Sequence, residues 1–213
     1  MDKYDEEVLT KVNEVYHKNI NVMDDYENVI SQCPKRLMSI GIDIYGMFFP
    51  DNEIYKKHIY KGKLTTNEKK KNYAYYFDKD GKLRLTERFT PGDGLANIIF
   101  YYYYEDYIEV VWFKPKFNGV SQVGFIEYNK GTLVRYVDSD NIELELKTLG
   151  YINCYTEFKF GIEKDYAIRR SFLGKKYKND KELLIIEYSD VLEPSIFSFW
   201  ATCILYLSHW KNV

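Results

Sequence analysis

The chain has 213 residues, a formal net charge of -2 and a hydrophobic content of 46%. This length supports one domain with a substantial core, and the composition excludes a disordered, a collagen-like or a low-complexity chain. Aromatic residues make up 18% of the chain, including 22 tyrosines, and such residues are enriched in β-strands and at recognition surfaces. We therefore expect a folded, soluble, β-rich domain.

Helices are predicted near the N-terminus. Apolar residues recur at three- and four-residue steps over residues 3–18, which is typical of an amphipathic helix. A second, short helix fits residues 24–33, because Pro34 would end it. Residues 37–49 then alternate as a strand does. The first residues lack the basic and apolar segments of a secretory signal, so we expect a cytoplasmic protein.

The composition changes between residues 51 and 72. Seven lysines lie between residues 56 and 71, opposed by Glu53 and Glu68, which predicts a lysine-rich linker or mobile loop. The neighbouring tyrosines would also suit contact with nucleic-acid phosphates and bases. We favour the solvated loop, because the whole chain is slightly acidic and carries no recognised nucleic-acid fold signature.

Hairpins dominate residues 73–190. The segments 78–81 and 128–131 each end in glycine, where a three-residue hairpin loop needs a left-handed residue. A third hairpin is predicted around the polar pair Glu105-Asp106, between residues 98–104 and 107–113. Later strands fit residues 142–147, 151–160, 166–172 and 183–188. These segments predict an antiparallel meander of about seven to nine strands.

An apolar helix is predicted to close the chain. Pro194 suits the first turn of a helix over residues 194–209, whose apolar coverage implies packing on the sheet. A helix needs about 20 apolar residues to cross a membrane, and the stretch 196–207 is shorter than that. We therefore expect no membrane as a partner. The fold class is therefore α+β. We expect a single domain, 1–213, with four segments: a helical and strand segment (1–50), the lysine-rich loop (51–72), the antiparallel sheet (73–190) and the closing helix (191–213).

The aromatic hairpin at residues 98–113 allows two interpretations. If Tyr104 faces Tyr107, then Tyr102 pairs with Glu109, and neither face of the hairpin is polar. The hairpin then lies at the centre of the sheet, covered by the N-terminal helix on one face and the C-terminal helix on the other. Alternatively, one face is open and binds a partner through tyrosines. The candidate partner-binding residues are Tyr102, Tyr104, Glu105, Asp106, Tyr107 and Glu109.

Catalytic and metal-binding patterns are not found in the sequence. The histidines have no metal-ligand spacing, and the odd number of cysteines argues against a disulfide framework. Residues 90–94 contain a Gly-x-Gly without the rest of a phosphate-binding motif. Acidic residues between 138 and 145 fit a half-exposed strand better than a calcium loop. We therefore predict no catalytic residue, no metal site and no cofactor.

The hairpin Tyr75-Tyr76-Phe77-Asp78-Lys79-Asp80-Gly81-Lys82-Leu83 carries a resemblance to a known class of proteins. Together with the N-terminal helices and the tyrosine-rich sheet, it resembles the cytosolic immunity proteins that accompany bacterial polymorphic toxins. The resemblance concerns residues 70–190 and assigns no role to any single residue. It implies a cognate toxin as the partner, blocked by direct binding.

Two other functions remain open from the residues alone. One is a small-ligand-binding protein or an enzyme with a carboxylate-lined site in the sheet, because carboxylates that meet in space need not be neighbours in sequence. The other is a structural or oligomerisation module in which residues 196–210 pack against a second copy. We expect protein binding rather than catalysis, with a toxin or another protein as the partner.

Overall fold

A computed structural model of the chain describes residues 3–41, 43–45, 62–92, 94–130, 132–139, 155–160, 167–172, 176–178, 181–184 and 188–193. The N-terminal part is helical, with α1 (Lys3–Lys18), a 3-10 turn (Val22–Asp25) and α2 (Tyr26–Ser31). The strands are β1 (Lys35–Ile40), β2 (Lys63–Leu64), β3 (Tyr73–Phe77), β4 (Leu83–Thr90), β5 (Gly94–Tyr103), β6 (Tyr107–Lys114), β7 (Gly119–Asn129), β8 (Thr132–Asp138), β9 (Tyr155–Phe160), β10 (Ala167–Phe172), β11 (Lys176–Lys178), β12 (Lys181–Leu184) and β13 (Tyr188–Glu193).

One antiparallel sheet organises the molecule. Its strand order is β13-β10-β9-β8-β7-β6-β5-β4-β3-β1-β2, while β11 and β12 form a separate pair. The eight strands from β1 to β9, β2 excepted, form an antiparallel meander. The predicted α+β class, with N-terminal helices and a meander sheet, is therefore confirmed. The closing helix predicted over residues 194–209 lies outside the described residues, as does the strand predicted at 142–147.

Several predicted boundaries shift. The strand predicted at 37–49 is β1, and it ends before Gly41, whose φ of 87° requires a left-handed residue. The lysine-rich stretch contributes β2 at the edge of the sheet and a 3-10 turn, Glu68–Lys70. The strand predicted at 183–188 is divided, because residues 181–184 belong to β12 and residue 188 begins β13.

The β5–β6 hairpin has the predicted register. Ile98 lies opposite Phe113, and Tyr102 lies opposite Glu109, with every intermediate pair as expected. The β3–β4 turn is also confirmed, because Gly81 has a φ of 78°. The β7–β8 hairpin lies where it was predicted, but its turn has a different length. Asn129 pairs with Thr132, and Lys130 adopts the left-handed conformation with a φ of 49°, so the loop is one residue shorter than expected.

Both faces of the central strands are buried. On one face, α1 inserts Val8, Val12 and Val15 into a cluster that includes Phe100 and Phe125. The opposite face carries a second buried cluster with Tyr75, Tyr101, Val110, Trp112 and Tyr136. The interior of the β5–β6 hairpin is thus core, in agreement with its expected central position. Among the residues that the structure describes, no helix is both long enough and apolar enough to span a membrane.

Candidate functional site

The predicted binding residues surround the tip of the β5–β6 hairpin. Tyr102 is the penultimate residue of β5, residues 104–106 form the turn, and β6 begins at Tyr107. The Tyr104 amide donates a hydrogen bond to the Tyr107 carbonyl at 2.9 Å, and the Tyr128 amide donates to the Asp106 carbonyl at 2.8 Å. The turn is therefore closed on itself and attached to the neighbouring strand β7, which restricts its backbone motion.

Two tyrosine rings stack at this tip. The ring centroids of Tyr104 and Tyr107 are 4.5 Å apart, and the ring planes differ by 13°. The Tyr104 side chain is exposed, at 39%, and Tyr107 is half-buried. Two lysines of α1 each place an ammonium group over one ring: Lys18 Nζ lies 4.3 Å from the Tyr104 centroid, and Lys11 Nζ lies 4.6 Å from that of Tyr107. Cation–π attraction thus links the helix to both rings.

Glu109 lies beneath the tyrosine pair and not on the surface. It is only 4% exposed, and Lys18 Nζ is 3.1 Å from each of its carboxylate oxygens. The Tyr104 hydroxyl donates to Glu109 Oε2 at 3.2 Å, and the Asn19 amide donates to the same oxygen at 3.4 Å. Glu109 is therefore a buried anchor for its neighbours in the free protein, and its expected contact with a partner stays a prediction.

Lys18 connects the exposed ring with the buried carboxylate. Besides its contacts with Glu109, its ammonium group donates a hydrogen bond to the Tyr104 hydroxyl. Burial lowers the pKa of the Lys18 ammonium, but the hydrogen bonds to Tyr104 and Glu109 raise it, and the net pKa lies above its ordinary value. Lys18 is thus charged at neutral pH and is already occupied by groups of its own chain.

Tyr102 belongs to the boundary between core and surface. Its ring stacks on Phe100 with centroids 6.4 Å apart, and its hydroxyl donates to Asp25 Oδ2 at 3.3 Å. Burial, with Asp25 as the next cause, raises the pKa of the Tyr102 hydroxyl. The two sequence interpretations therefore apply to different parts of one hairpin: the strands are covered, and the tip beyond Tyr102 is open.

The acidic residues of the turn are not balanced by positive charges among the described residues nearby. Glu105 and Asp106 are exposed, and within the described part of the chain neither takes part in an ion pair. The lysines that approach the tip are matched by other acids, Lys18 by Glu109 and Lys11 by Glu127 at 2.6 Å. The negative charge of the two turn residues is therefore presented to solvent beside the tyrosine pair.

A second charged network lies under α1 and was not foreseen from the sequence. Arg135 of β8 forms two hydrogen bonds of 2.8 Å with the Glu127 carboxylate, and it donates to the Tyr4 hydroxyl at 3.1 Å. Tyr4 donates in turn to Glu157 of β9, which is fully buried. These residues come from α1, β7, β8 and β9, so no local sequence pattern could have predicted their meeting.

Other acidic groups in the described residues do not assemble a metal site. No group of three or more His, Cys, Asp or Glu side chains in the described ranges is placed to hold a metal ion. An open depression lies on the outer side of α1, lined by Lys3, Glu6, Glu7, Thr10, Lys11 and Glu14. Its three glutamates are exposed on the helix surface. They are therefore not the buried, converging carboxylates that an enzymatic site in the sheet would need.

The structure thus brings together a stacked tyrosine pair, two exposed acids and a lysine–glutamate pair that anchors them. Tyr104 and the two exposed acids come from the turn, Tyr107 and Glu109 come from β6, and the lysine comes from α1. Comparison with known proteins finds no matching family model, no matching curated protein and no matching solved structure.

Proposed function

We propose that this protein is a non-catalytic protein-binding domain that inhibits a cognate bacterial toxin by direct binding, in the manner of an immunity protein. The observation that supports this proposal is the tip of the β5–β6 hairpin, where Tyr104 stacks on Tyr107 beside exposed Glu105 and Asp106. The bacterial toxin as the partner comes from the resemblance of the hairpins and helices to immunity proteins. The binding role comes from the geometry of the tip.

Stacked tyrosines suit protein recognition for a physical reason. Tyrosine offers a large contact area with both apolar and polar character, and it loses little rotamer entropy on binding. At this tip the rings are already held by each other and by Lys11 and Lys18. The two side chains are therefore already ordered in the free protein, and little further conformational entropy is lost when a partner binds.

The exposed acids favour a partner with a basic surface. Complementary charge chiefly raises the association rate and the specificity of a complex. Glu105 and Asp106 can contribute in this way because the nearby lysines are matched by Glu109 and Glu127. We expect a toxin surface on which lysine or arginine side chains surround an apolar pocket for Tyr104.

The buried acids of the described residues favour structural roles over acid–base catalysis. Glu87 accepts hydrogen bonds from two tyrosine hydroxyls, and Glu109 is held by Lys18. Asp138 accepts a hydrogen bond from Tyr136, and Glu157 accepts one from Tyr4. Each carboxylate is thus engaged by donors of its own chain. This arrangement supports binding as the function.

The experiment that tests the proposal combines capture with substitution. The tagged protein is used to retain the product of the neighbouring gene, and the affinity of the purified pair is measured by calorimetry. Tyr104→Ala should weaken the complex by about 2 kcal/mol or more, as truncation of a central aromatic anchor does. Glu105→Lys combined with Asp106→Lys should lower the association rate and reduce its dependence on salt.

Two control variants address non-specific effects. Phe117 is an exposed aromatic residue at the opposite end of β6, so Phe117→Ala should leave the affinity unchanged. Glu27 is an exposed acid on α2, so Glu27→Lys should leave the association rate unchanged. The proposal fails if no neighbour-encoded protein is retained and no protection of cells is observed. It also fails if Tyr104→Ala binds as tightly as the unmodified protein while Phe117→Ala does not.

A further inference from the structure

The last residue of α1 has an unusual combination of contacts. Lys18 Nζ lies 4.3 Å from the centre of the Tyr104 ring and donates to the hydroxyl of the same ring. It also lies 3.1 Å from both oxygens of Glu109. One ammonium group therefore contacts the exposed residue that we assign to binding and a carboxylate in the centre of the sheet.

Glu109 provides a fixed reference point for this contact. It lies on β6, which is paired with β5 and β7 along its length, and its side chain is buried. The Asn19 amide donates to Glu109 Oε2 and to the Val15 carbonyl, at 3.4 and 2.8 Å, so the end of α1 is tied to the same carboxylate. By contrast, the Lys18 side chain is 51% exposed and Tyr104 lies in a turn. The buried Glu109 carboxylate thus orients the exposed side chains of Lys18 and Tyr104.

We propose that Lys18 is a positioning residue of the binding surface, which holds the Tyr104 ring stacked on Tyr107 in the orientation that the partner recognises. This inference rests on the proposed function. A turn residue with a free side chain would sample other rotamers and lose entropy when the partner binds. Lys18 removes that cost in advance, since its ammonium group contacts the Tyr104 hydroxyl and the buried Glu109 carboxylate together. The C-terminal end of α1 is therefore part of the binding surface.

The first test uses the free protein and needs no partner. Proton NMR measures the nuclear Overhauser contact between the rings of Tyr104 and Tyr107 in the unmodified protein and in variants of Lys18. Lys18→Met should abolish or strongly weaken this contact, because the ring loses its cation and its hydroxyl partner. Lys18→Gln keeps a hydrogen-bond donor for Glu109 and is the second variant, with the same expected loss, should Lys18→Met not fold.

Two variants separate positioning from simple charge loss or stabilisation. Lys18→Arg should retain the ring contact, because a guanidinium group can stack on the ring and bind the carboxylate at once. Lys3→Met removes a positive charge from the same helix, where Lys3 approaches Glu7 at 3.8 Å, and it should also retain the contact. Thermal unfolding establishes that each variant is folded at the temperature of the NMR measurement.

The second test measures affinity for the neighbour-encoded protein captured as described above. Lys18→Met and Lys18→Gln should weaken binding by about tenfold or more, whereas Lys18→Arg and Lys3→Met should bind within about twofold of the unmodified protein. The inference is overturned if the folded Lys18→Met protein keeps the Tyr104–Tyr107 contact at full strength. It is equally overturned if that contact is lost and the affinity is unchanged, although Tyr104→Ala abolishes binding. A Tyr104→Ala variant with full affinity would instead refute the proposed function.

Discussion

Glu87 is a buried carboxylate held between two tyrosine hydroxyls. Tyr26 donates to one oxygen at 2.6 Å, and Tyr76 donates to the other at 2.8 Å. Burial, followed by Glu87, raises the pKa of the Tyr76 hydroxyl to about 12, so this hydroxyl remains a donor throughout the neutral range. Tyr76 also accepts a hydrogen bond from Arg36 Nε at 3.2 Å. The hydroxyls offset the loss of water that burial of a charged group entails.

The role of Tyr76 can be tested by removal of its hydroxyl. Tyr76→Phe keeps the ring but leaves one oxygen of the buried Glu87 without its donor, so we expect a loss of about 1–3 kcal/mol in the free energy of unfolding. Urea denaturation followed by circular dichroism measures this loss. Tyr107→Phe is the matched control, because the Tyr107 hydroxyl makes no hydrogen bond among the described residues, and its stability should change little. Equal stabilities of the two variants would contradict the assigned role.

Glu109 shows why residue roles were harder to predict than residue positions. Its register opposite Tyr102 followed from alternation along the strands, and the structure has that register. Burial under the N-terminal helix was one of the two interpretations of the hairpin, but the contacts that hold Glu109 did not follow from the sequence, because Lys18 and Asn19 lie about ninety positions earlier in the chain. A carboxylate beside two tyrosines suggested an exposed contact residue. Only the approach of α1 shows that Glu109 is an internal anchor.

Among the elements, the β5–β6 and β7–β8 hairpins differ in how far their pairing can be predicted from neighbouring residues. The register of β5–β6 was predictable because a single assumption, Tyr104 facing Tyr107, determines every other pair at a period of two residues. The turn between β7 and β8 was not. A register shift between Glu127 and Tyr128 changes the pairing, so Lys130 takes a positive φ. That shift is a feature of pairing between strands, which residues 128–131 alone do not encode.

Strand β7 contains a glycine that the neighbouring strand requires. A Cβ atom at Gly124 would lie 2.5 Å from the Val137 carbonyl oxygen of β8, which is within van der Waals overlap. Gly124→Ala should therefore lower the free energy of unfolding by about 1–3 kcal/mol or more, because relief would need the β7–β8 backbones to separate. Chemical denaturation checks this value.

Gly119 offers a control on the same strand. A Cβ atom there meets only the Phe117 carbonyl oxygen, at an ordinary distance of 3.7 Å. Gly119→Ala should change the stability by less than about 0.5 kcal/mol. If both alanine variants were equally stable, close approach of β7 and β8 could not be the reason for glycine at position 124.

At the scale of the whole molecule, charged contacts attach α1 to the sheet in addition to its apolar residues. Lys11 and Tyr4 of the helix contact Glu127, Arg135 and Glu157 on three successive strands. Burial raises the pKa of the Glu127 carboxyl, but the hydrogen bonds from Arg135 and Lys11 and their positive charges together lower it by more. The pKa of Glu127 in the folded protein therefore lies below its ordinary value. The folded state therefore binds a proton at Glu127 less readily than the unfolded chain does.

This pKa shift predicts how stability depends on pH. A carboxyl group with a lowered pKa in the folded state contributes stability above its unfolded pKa of about 4.3, and this contribution is lost as the pH falls through the folded pKa. The free energy of unfolding should therefore decline as the pH falls from about 5 through the lowered pKa of Glu127 in the folded state. Glu127→Gln should show a shallower decline in urea titrations across this range. An unchanged slope would show that the ion pairs of Glu127 do not contribute to acid stability.

The α+β class, the N-terminal helices and the register of the aromatic hairpin could all be predicted from the order of residues along the chain. These depend on periodicity and turn chemistry, which act between residues close in the chain. Two features became visible only in the folded chain: the tip of this hairpin is open while its strands are covered, and Lys18 reaches Glu109 and Tyr104. Such contacts join positions far apart in the chain, and they form only when the packing of α1 on the sheet brings those positions together.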